Sequence, residues 1–144
     1  MKNFKTKIDR KLTIKSSTAN LSTVRNFIKT SALECGFDEE TTGKIILAVD
    51  EACTNIIKHA YNYSPDGDIL VNVKFYNKKF SVIITDSGIP FDSSLIPEPN
   101  LEEYLKQKKV GGLGMFLMRK LMDQVKYSIP ANGKNRVTLV KYLS

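Results

Sequence analysis

Cysteine and histidine are too scarce in this chain to build a staple or a metal cluster. Cys35 and Cys53 are the only two thiols and His59 is the single imidazole. With no CxxC pairing, neither a disulfide framework nor a zinc set can be assembled, and both thiols read as small core residues. Tryptophan is absent. No apolar run approaches the roughly 18 residues that a membrane span requires. The opening Met1-Lys2-Asn3-Phe4-Lys5-Thr6-Lys7 carries charge without an apolar stretch behind it, so it is no secretory signal and a cytoplasmic protein is expected. Acidic residues are outnumbered, 15 against 22 Lys and Arg, for a net charge of +7. The lysines are scattered rather than gathered in a stripe, which reads as a solvated surface and not as a nucleic-acid face.

What is present is an ordinary globular composition, 42% hydrophobic and 26% charged over 144 residues, enough for one domain with its own core. Lys7 to Ile14 alternates weakly and is read as a first strand. Ser17-Thr18-Ala19-Asn20 caps a helix whose apolar residues Leu21, Val24, Phe27, Ile28 and Leu33 repeat at helical spacing until Gly36. A second helix starts after Asp38, with Glu39 and Glu40 in its first turn, and runs to about Tyr61. Ile69 to Tyr76 and Phe80 to Thr85 form a hairpin joined at Asn77-Lys78-Lys79. Residues 89–110, with three prolines and a lysine-rich end, read as a long functional loop holding at most a short helix at Leu101 to Leu105. Met115 to Val125 is a third helix. The strands Lys126 to Ile129 and Val137 to Leu143 turn at Asn132-Gly133. This order predicts an α+β fold, a two-layer sandwich with one mainly antiparallel mixed sheet covered on one face by about three helices.

Three short segments carry chemistry. On the second helix Ile45, Val49, Ala52, Cys53, Ile56 and Ala60 make a buried stripe, while Glu51 and Asn55 are neighbours four residues apart on another face. A carboxamide oxygen can ligate a hard cation such as Mg²⁺ while the carboxylate takes a proton; the plain alternative is a polar helix face. Asp86-Ser87-Gly88 puts a carboxylate at the tip of a strand. It can accept the amino group of an adenine while Gly88 allows close approach, or it is simply an Asx turn. Gly111-Gly112-Leu113-Gly114 opens a helix, where free backbone N–H groups cradle phosphates, or it is a hinge. No Walker GxxxxGK[ST] loop and no strand-led GxGxxG is present.

In their order and separation, Glu51-Ala52-Cys53-Thr54-Asn55, Asp86-Ser87-Gly88 and Gly111-Gly112-Leu113-Gly114-Met115 resemble the three nucleotide-binding boxes of the GHKL (Bergerat-fold) superfamily. The text around them, with Met118, Met122 and Asp123, is similar to the short anti-sigma-factor serine-protein kinases over nearly the whole chain. The resemblance implies ATP and Mg²⁺ as ligands. Asn55 would be the metal ligand, Glu51 the catalytic base, Asp86 the adenine reader and Gly88 the position beneath the base. Gly111, Gly112, Leu113, Gly114 and Met115 would form the phosphate loop, with residues 89–110 as the lid. Arg25 falls where the family carries an arginine used towards phosphate or the partner. The family's Gly-Thr before the last strand reads Asn135-Arg136 here, leaving Thr138 as the nearest hydroxyl. Lys106, Lys108 and Lys109 end the lid as a solvated charge run, and His59 is expected to be structural at the helix end.

The function so implied is phosphorylation of a serine or threonine on an anti-anti-sigma (STAS-domain) partner within a partner switch. A sigma factor and a homodimer are possible further partners, with no membrane and no direct nucleic-acid contact. The alternative is an ATP-dependent binding switch that sequesters a sigma factor or another regulator without kinase activity. A histidine-kinase catalytic domain ranks lower, because the first strand begins almost at Met1 with no dimerisation helix bearing a phosphoacceptor histidine ahead of it.

Overall fold

The computed structural model describes residues 3–90, 110–130 and 132–144. Strand β1 (Lys7–Lys15) is followed by a 3₁₀ turn (Thr18–Asn20) that leads into helix α1 (Leu21–Glu34). The Ser17 hydroxyl accepts from Ala19 N at 3.3 Å at this entry. Gly36, at φ +100°, ends α1 in the left-handed region that favours glycine. Helix α2 (Glu39–Asn55) begins at Asp38, whose carboxylate accepts from Thr41 N at 2.7 Å. That backbone hydrogen bond holds the Asp38 carboxyl below its usual pKa. Beyond Asn55 the helix continues as a π-turn (Ile56–Ala60).

Strands β2 (Asp68–Tyr76) and β3 (Lys79–Asp86) form the expected hairpin. Its loop is two residues, Asn77 and Lys78, at φ +51° and +63°, the pattern of a type I′ turn; Lys79 already pairs with Tyr76. Helix α3 (Val110–Leu121), β4 (Gln124–Ser128) and β5 (Asn135–Tyr142) complete the described chain. The strands lie in the order β1-β2-β3-β5-β4, and every ladder among the described residues is antiparallel.

The burial pattern of β3 alternates strictly, so one face of the sheet is covered and the other meets solvent. Ile69, Val71, Val82, Ile84 and Leu139 of the covered face pack against Ile28 of α1, Ile45 and Val49 of α2 and Ile57 of the π-turn, all at most 1% exposed. Phe37, Phe75 and Phe80 pack together in this core, Phe37 meeting the other two rings edge-on and Phe75 tilted against Phe80. Helix α2 is central and packs on both α1 and α3. The α+β two-layer architecture is thus as expected.

Several boundaries differ from expectation: β4 starts at Gln124 where Lys126 was expected, and β5 at Asn135 where Val137 was expected. Helix α3 begins at Val110 and ends at Leu121, where Met115 to Val125 was expected. The apolar spacing of Leu121, Met122 and Val125 continues a helical stripe, yet Val125 pairs with Leu139 in the sheet, so strand pairing overrides the periodicity. The loop residues 91–109, including the short helix at Leu101 to Leu105 and the lysines Lys106, Lys108 and Lys109, lie outside the described residues, as do the side chains of 110–115. No helix among the described residues is long and apolar enough to cross a membrane.

Candidate functional site

The site forms where α2 gives up α-helical geometry. Tyr61 N donates to Ile56 O at 3.0 Å, a five-residue span that widens the last turn just past Asn55. Single π-turns of this kind insert extra backbone into a helix and occur often at functional sites. Here the turn brings the Ala60 carbonyl against the loop after β3, and Ile89 N donates to it at 2.8 Å. A Cβ on Gly88 would stand 2.5 Å from Ala60 O and 2.7 Å from Ala60 Cβ. Gly88 is therefore a close-approach position, and the group that approaches it here is the backbone of Ala60, where a base was expected.

Tyr61 extends this clamp. Its hydroxyl donates to Asp68 O at 2.7 Å and accepts from Ser87 N at 2.9 Å, tying the end of the π-turn to the starts of β2 and of the Asp86-Ser87-Gly88 loop. Its ring also fills the space where any side chain at Gly67 would go. On the opposite side, β5 holds the loop through Asn135, whose register partner is Asp86. Asn135 Nδ2 donates to Asp86 Oδ1 at 2.8 Å and to Gly88 O at 3.0 Å. Asp86, only 5% exposed, receives a further bond on Oδ1 from Gly88 N at 2.9 Å. Its Oδ2 accepts no hydrogen bond among the described residues and is left to the cavity.

That cavity measures about 600 Å³ and lies between the π-turn, the Asp86 loop and the β4–β5 hairpin. Ala52, Ile56, Ala60 and Val137 supply apolar walls, and Asp86, Asn55, Ile89 and Tyr127 also line it. The Tyr127 hydroxyl is pushed up to about 12 by burial and stays protonated in ordinary conditions. A slot of this size, apolar on its faces with a single carboxylate acceptor, suits a planar aromatic ring bearing an amine. Asn55 offers one hard carboxamide oxygen. That fits Mg²⁺, which takes one or two protein oxygens and draws its other ligands from phosphates and water. A base of this kind and the metal thus fit the residues present.

Asn55 and Asp86 are brought together on this cavity, with Gly88 beside them. Glu51 lies one turn before Asn55, half-buried and outside the cavity lining. Gly111, Gly112, Leu113, Gly114 and Met115 belong to the first turns of α3 instead of preceding it. They still hold the helix start, where the first backbone N–H groups have no intrahelical acceptor. Arg25 is drawn away from the cavity: its guanidinium pairs with Asp50 at 2.7 Å, joining α1 to α2 on the surface. Thr138 is a correction. Val137 and Leu139 on either side are buried in the core, so strand alternation turns Thr138 to the other face of the sheet, and it does not line the cavity.

Sequence reasoning missed Asn135 and Tyr61, and His59, expected to be structural, is exposed at the cavity wall. The signal for Asn135 was the departure from a Gly-Thr pair at Asn135-Arg136. Tyr61 gave no signal beyond its position at the helix end.

A two-layer sandwich with a base-sized cavity between the central helix and the sheet fits a nucleotide-binding domain. Residues 14–141 match the histidine kinase-like ATPase domain model. The chain belongs to that family, and within it to the RsbW-like serine-protein kinases. Serine-protein kinase RsbW of Bacillus velezensis is 33% identical over 126 residues, covering 84% of this chain and 77% of that protein. Serine-protein kinase RsbW of Listeria monocytogenes serovar 1/2a is 37% identical over 99 residues. That match takes in 66% of this chain and 63% of the relative, slightly under two thirds of its length. A crystal structure of the RsbU and RsbW domains of Rv1364c from Mycobacterium tuberculosis superposes with a TM-score of 0.65 at 17% identity. It covers 94% of this chain and 32% of that one, and is a likeness of fold.

Proposed function

We propose that this chain is a single-domain, cytoplasmic, ATP-dependent serine/threonine-protein kinase of the anti-sigma-factor type. Its substrate is a serine or threonine hydroxyl on a STAS-domain anti-anti-sigma protein. A sigma factor is the other partner in the switch, and the kinase acts as a homodimer. The observation that carries this reading is the convergence of Asn55 and Asp86, from different elements, on one cavity of about 600 Å³. The relatives named as serine-protein kinases add the reaction class.

Each residue then has a task. The free oxygen of Asp86 accepts from the exocyclic amine of the base, and Ala52, Ile56 and Val137 hold its faces. Backbone N–H groups of the first turn of α3 donate to phosphate oxygens. Asn55 holds Mg²⁺, which when bound neutralises phosphate charge. Glu51 takes the proton of the attacking hydroxyl as that oxygen bonds to the terminal phosphorus and the bond from phosphorus to the leaving diphosphate oxygen breaks. Arg25 serves phosphate or the partner after leaving Asp50.

The position of Glu51 outside the cavity lining favours a second reading, a nucleotide-dependent binding switch that moves no phosphate. Incubation with terminally labelled ATP and a candidate STAS protein separates the two. Label on the partner, lost in Glu51→Gln with ATP binding retained, supports the kinase. Nucleotide-dependent partner binding without label supports the switch.

A further inference from the structure

The cavity has one polar device that no part of this reading yet uses. Asn135 spends both protons of one nitrogen on two acceptors, Asp86 Oδ1 at 2.8 Å and Gly88 O at 3.0 Å. Because both neighbours are acceptors, the orientation of the amide is fixed by chemistry: the flipped amide would set oxygen against oxygen. The same placement leaves Asn135 Oδ1 buried with no partner among the described residues, an unfavourable state for a carbonyl. A hydroxyl at this position would leave no such orphan, but it has one proton and could not reach both acceptors. The amide is thus suited to the double clamp and to little else.

Its effect falls on Asp86. With Oδ1 held by Asn135 Nδ2 and by Gly88 N at 2.9 Å, the carboxylate plane cannot turn. Oδ2 becomes a fixed acceptor of the cavity lining. The bond to Gly88 O also fixes the loop on the side opposite Ala60 and Tyr61. We propose that Asn135 is a positioning residue for base selection: by locking Asp86 through one oxygen it presents the other so that a base with an exocyclic amine is accepted and one with a carbonyl there is refused. This rests on the nucleotide-binding reading and adds to it a determinant on β5. A carbonyl in place of the amine would put two acceptors in contact, and sites built to hydrogen-bond a substrate donor discriminate strongly against analogues that lack it.

The test compares ADP with inosine diphosphate, whose base carries a carbonyl where adenine carries the amine, by titration calorimetry with Mg²⁺. Wild type is expected to prefer ADP by about 100-fold or more. Asn135→Ala should weaken ADP by about tenfold and leave inosine diphosphate within about threefold, so that the preference shrinks. Asn135→Ser, which keeps one donor, should fall between. Cooperative melting of each variant confirms that it is folded, and the Ser variant carries the test if the Ala variant is not. Equal weakening of both nucleotides, or an unchanged preference, overturns the role given to Asn135 while leaving nucleotide binding intact. Failure of wild type to bind ADP overturns the functional reading and this inference together.

Discussion

Replacing Gly88 by alanine tests the geometry at its tightest point. The new methyl would lie 2.5 Å from Ala60 O and 2.7 Å from Ala60 C and Cβ, contacts with backbone that no side-chain rotation relieves. Either the π-turn or the loop must retreat. Overpacking of this kind costs about 1–3 kcal/mol. Retreat also weakens the Ile89 N to Ala60 O bond and the Asn135 Nδ2 to Gly88 O bond, at about 1 kcal/mol each. The total is about 3–5 kcal/mol, which for a chain of this size lowers Tm by about 10–15 °C. Asp86 is displaced by the same movement, so ADP affinity falls as well. Gly43 provides the control: it lies within α2, exposed, with nothing within 4 Å of an added Cβ, and Gly43→Ala should stabilise by about 0.5–1 kcal/mol. Thermal melts and ADP titrations of both variants decide the matter. A Gly88→Ala protein that melts within about 2 °C of wild type and binds ADP normally refutes the close-approach argument.

Tyr61→Phe removes the hydroxyl shared by Asp68 O and Ser87 N and is expected to cost about 1–2 kcal/mol in denaturant unfolding; an unchanged midpoint would show that the bridge is dispensable. Asn55→Ala should lower label transfer to the partner by about 100-fold or more and remove the Mg²⁺ dependence of nucleotide binding, and retention of that dependence would place the cation elsewhere. The Cys53 thiol is raised by burial from 9.0 to about 12, and Cys35 in the same way to about 11. A folded pKa above the unfolded one gives stability that is fully present below pH 9 and lost as pH rises towards 12. Cys53→Ala should therefore flatten the fall in stability across that window by about 1 kcal/mol per pH unit. An identical alkaline profile in the variant would contradict the burial of that thiol.

Much of the architecture could be read from the chain because its signals are local. The Asp38 cap, the left-handed Gly36 and the alternation of β3 each act within a few residues. The meeting of Asn55 with Asp86 was legible through the ordered motifs. What escaped depends on pairing between distant segments. Ile56, Ile57 and Ala60 fit an α-helix and a π-turn equally well as an apolar pattern, so the widened turn left no mark in the sequence. Val125 obeys the helical period yet joins β4, because Leu139 is there to pair with it. Thr138 was the nearest hydroxyl along the chain, but strand parity turns it from the cavity and gives the inward place opposite Asp86 to Asn135. Gly88 was read as the place where a base comes close, while the backbone that packs on it comes from a turn that only the fold reveals.

The central claim is that Asn55, Asp86 and the start of α3 act on one adenine nucleotide. A crystal structure with ADP and Mg²⁺ tests it most directly. The account predicts the amine of the base on Asp86, the cation on the Asn55 carboxamide oxygen and the phosphates at the N-terminal turn of α3. Nucleotide seated elsewhere, with Asp86 still facing solvent in the cavity, would contradict it.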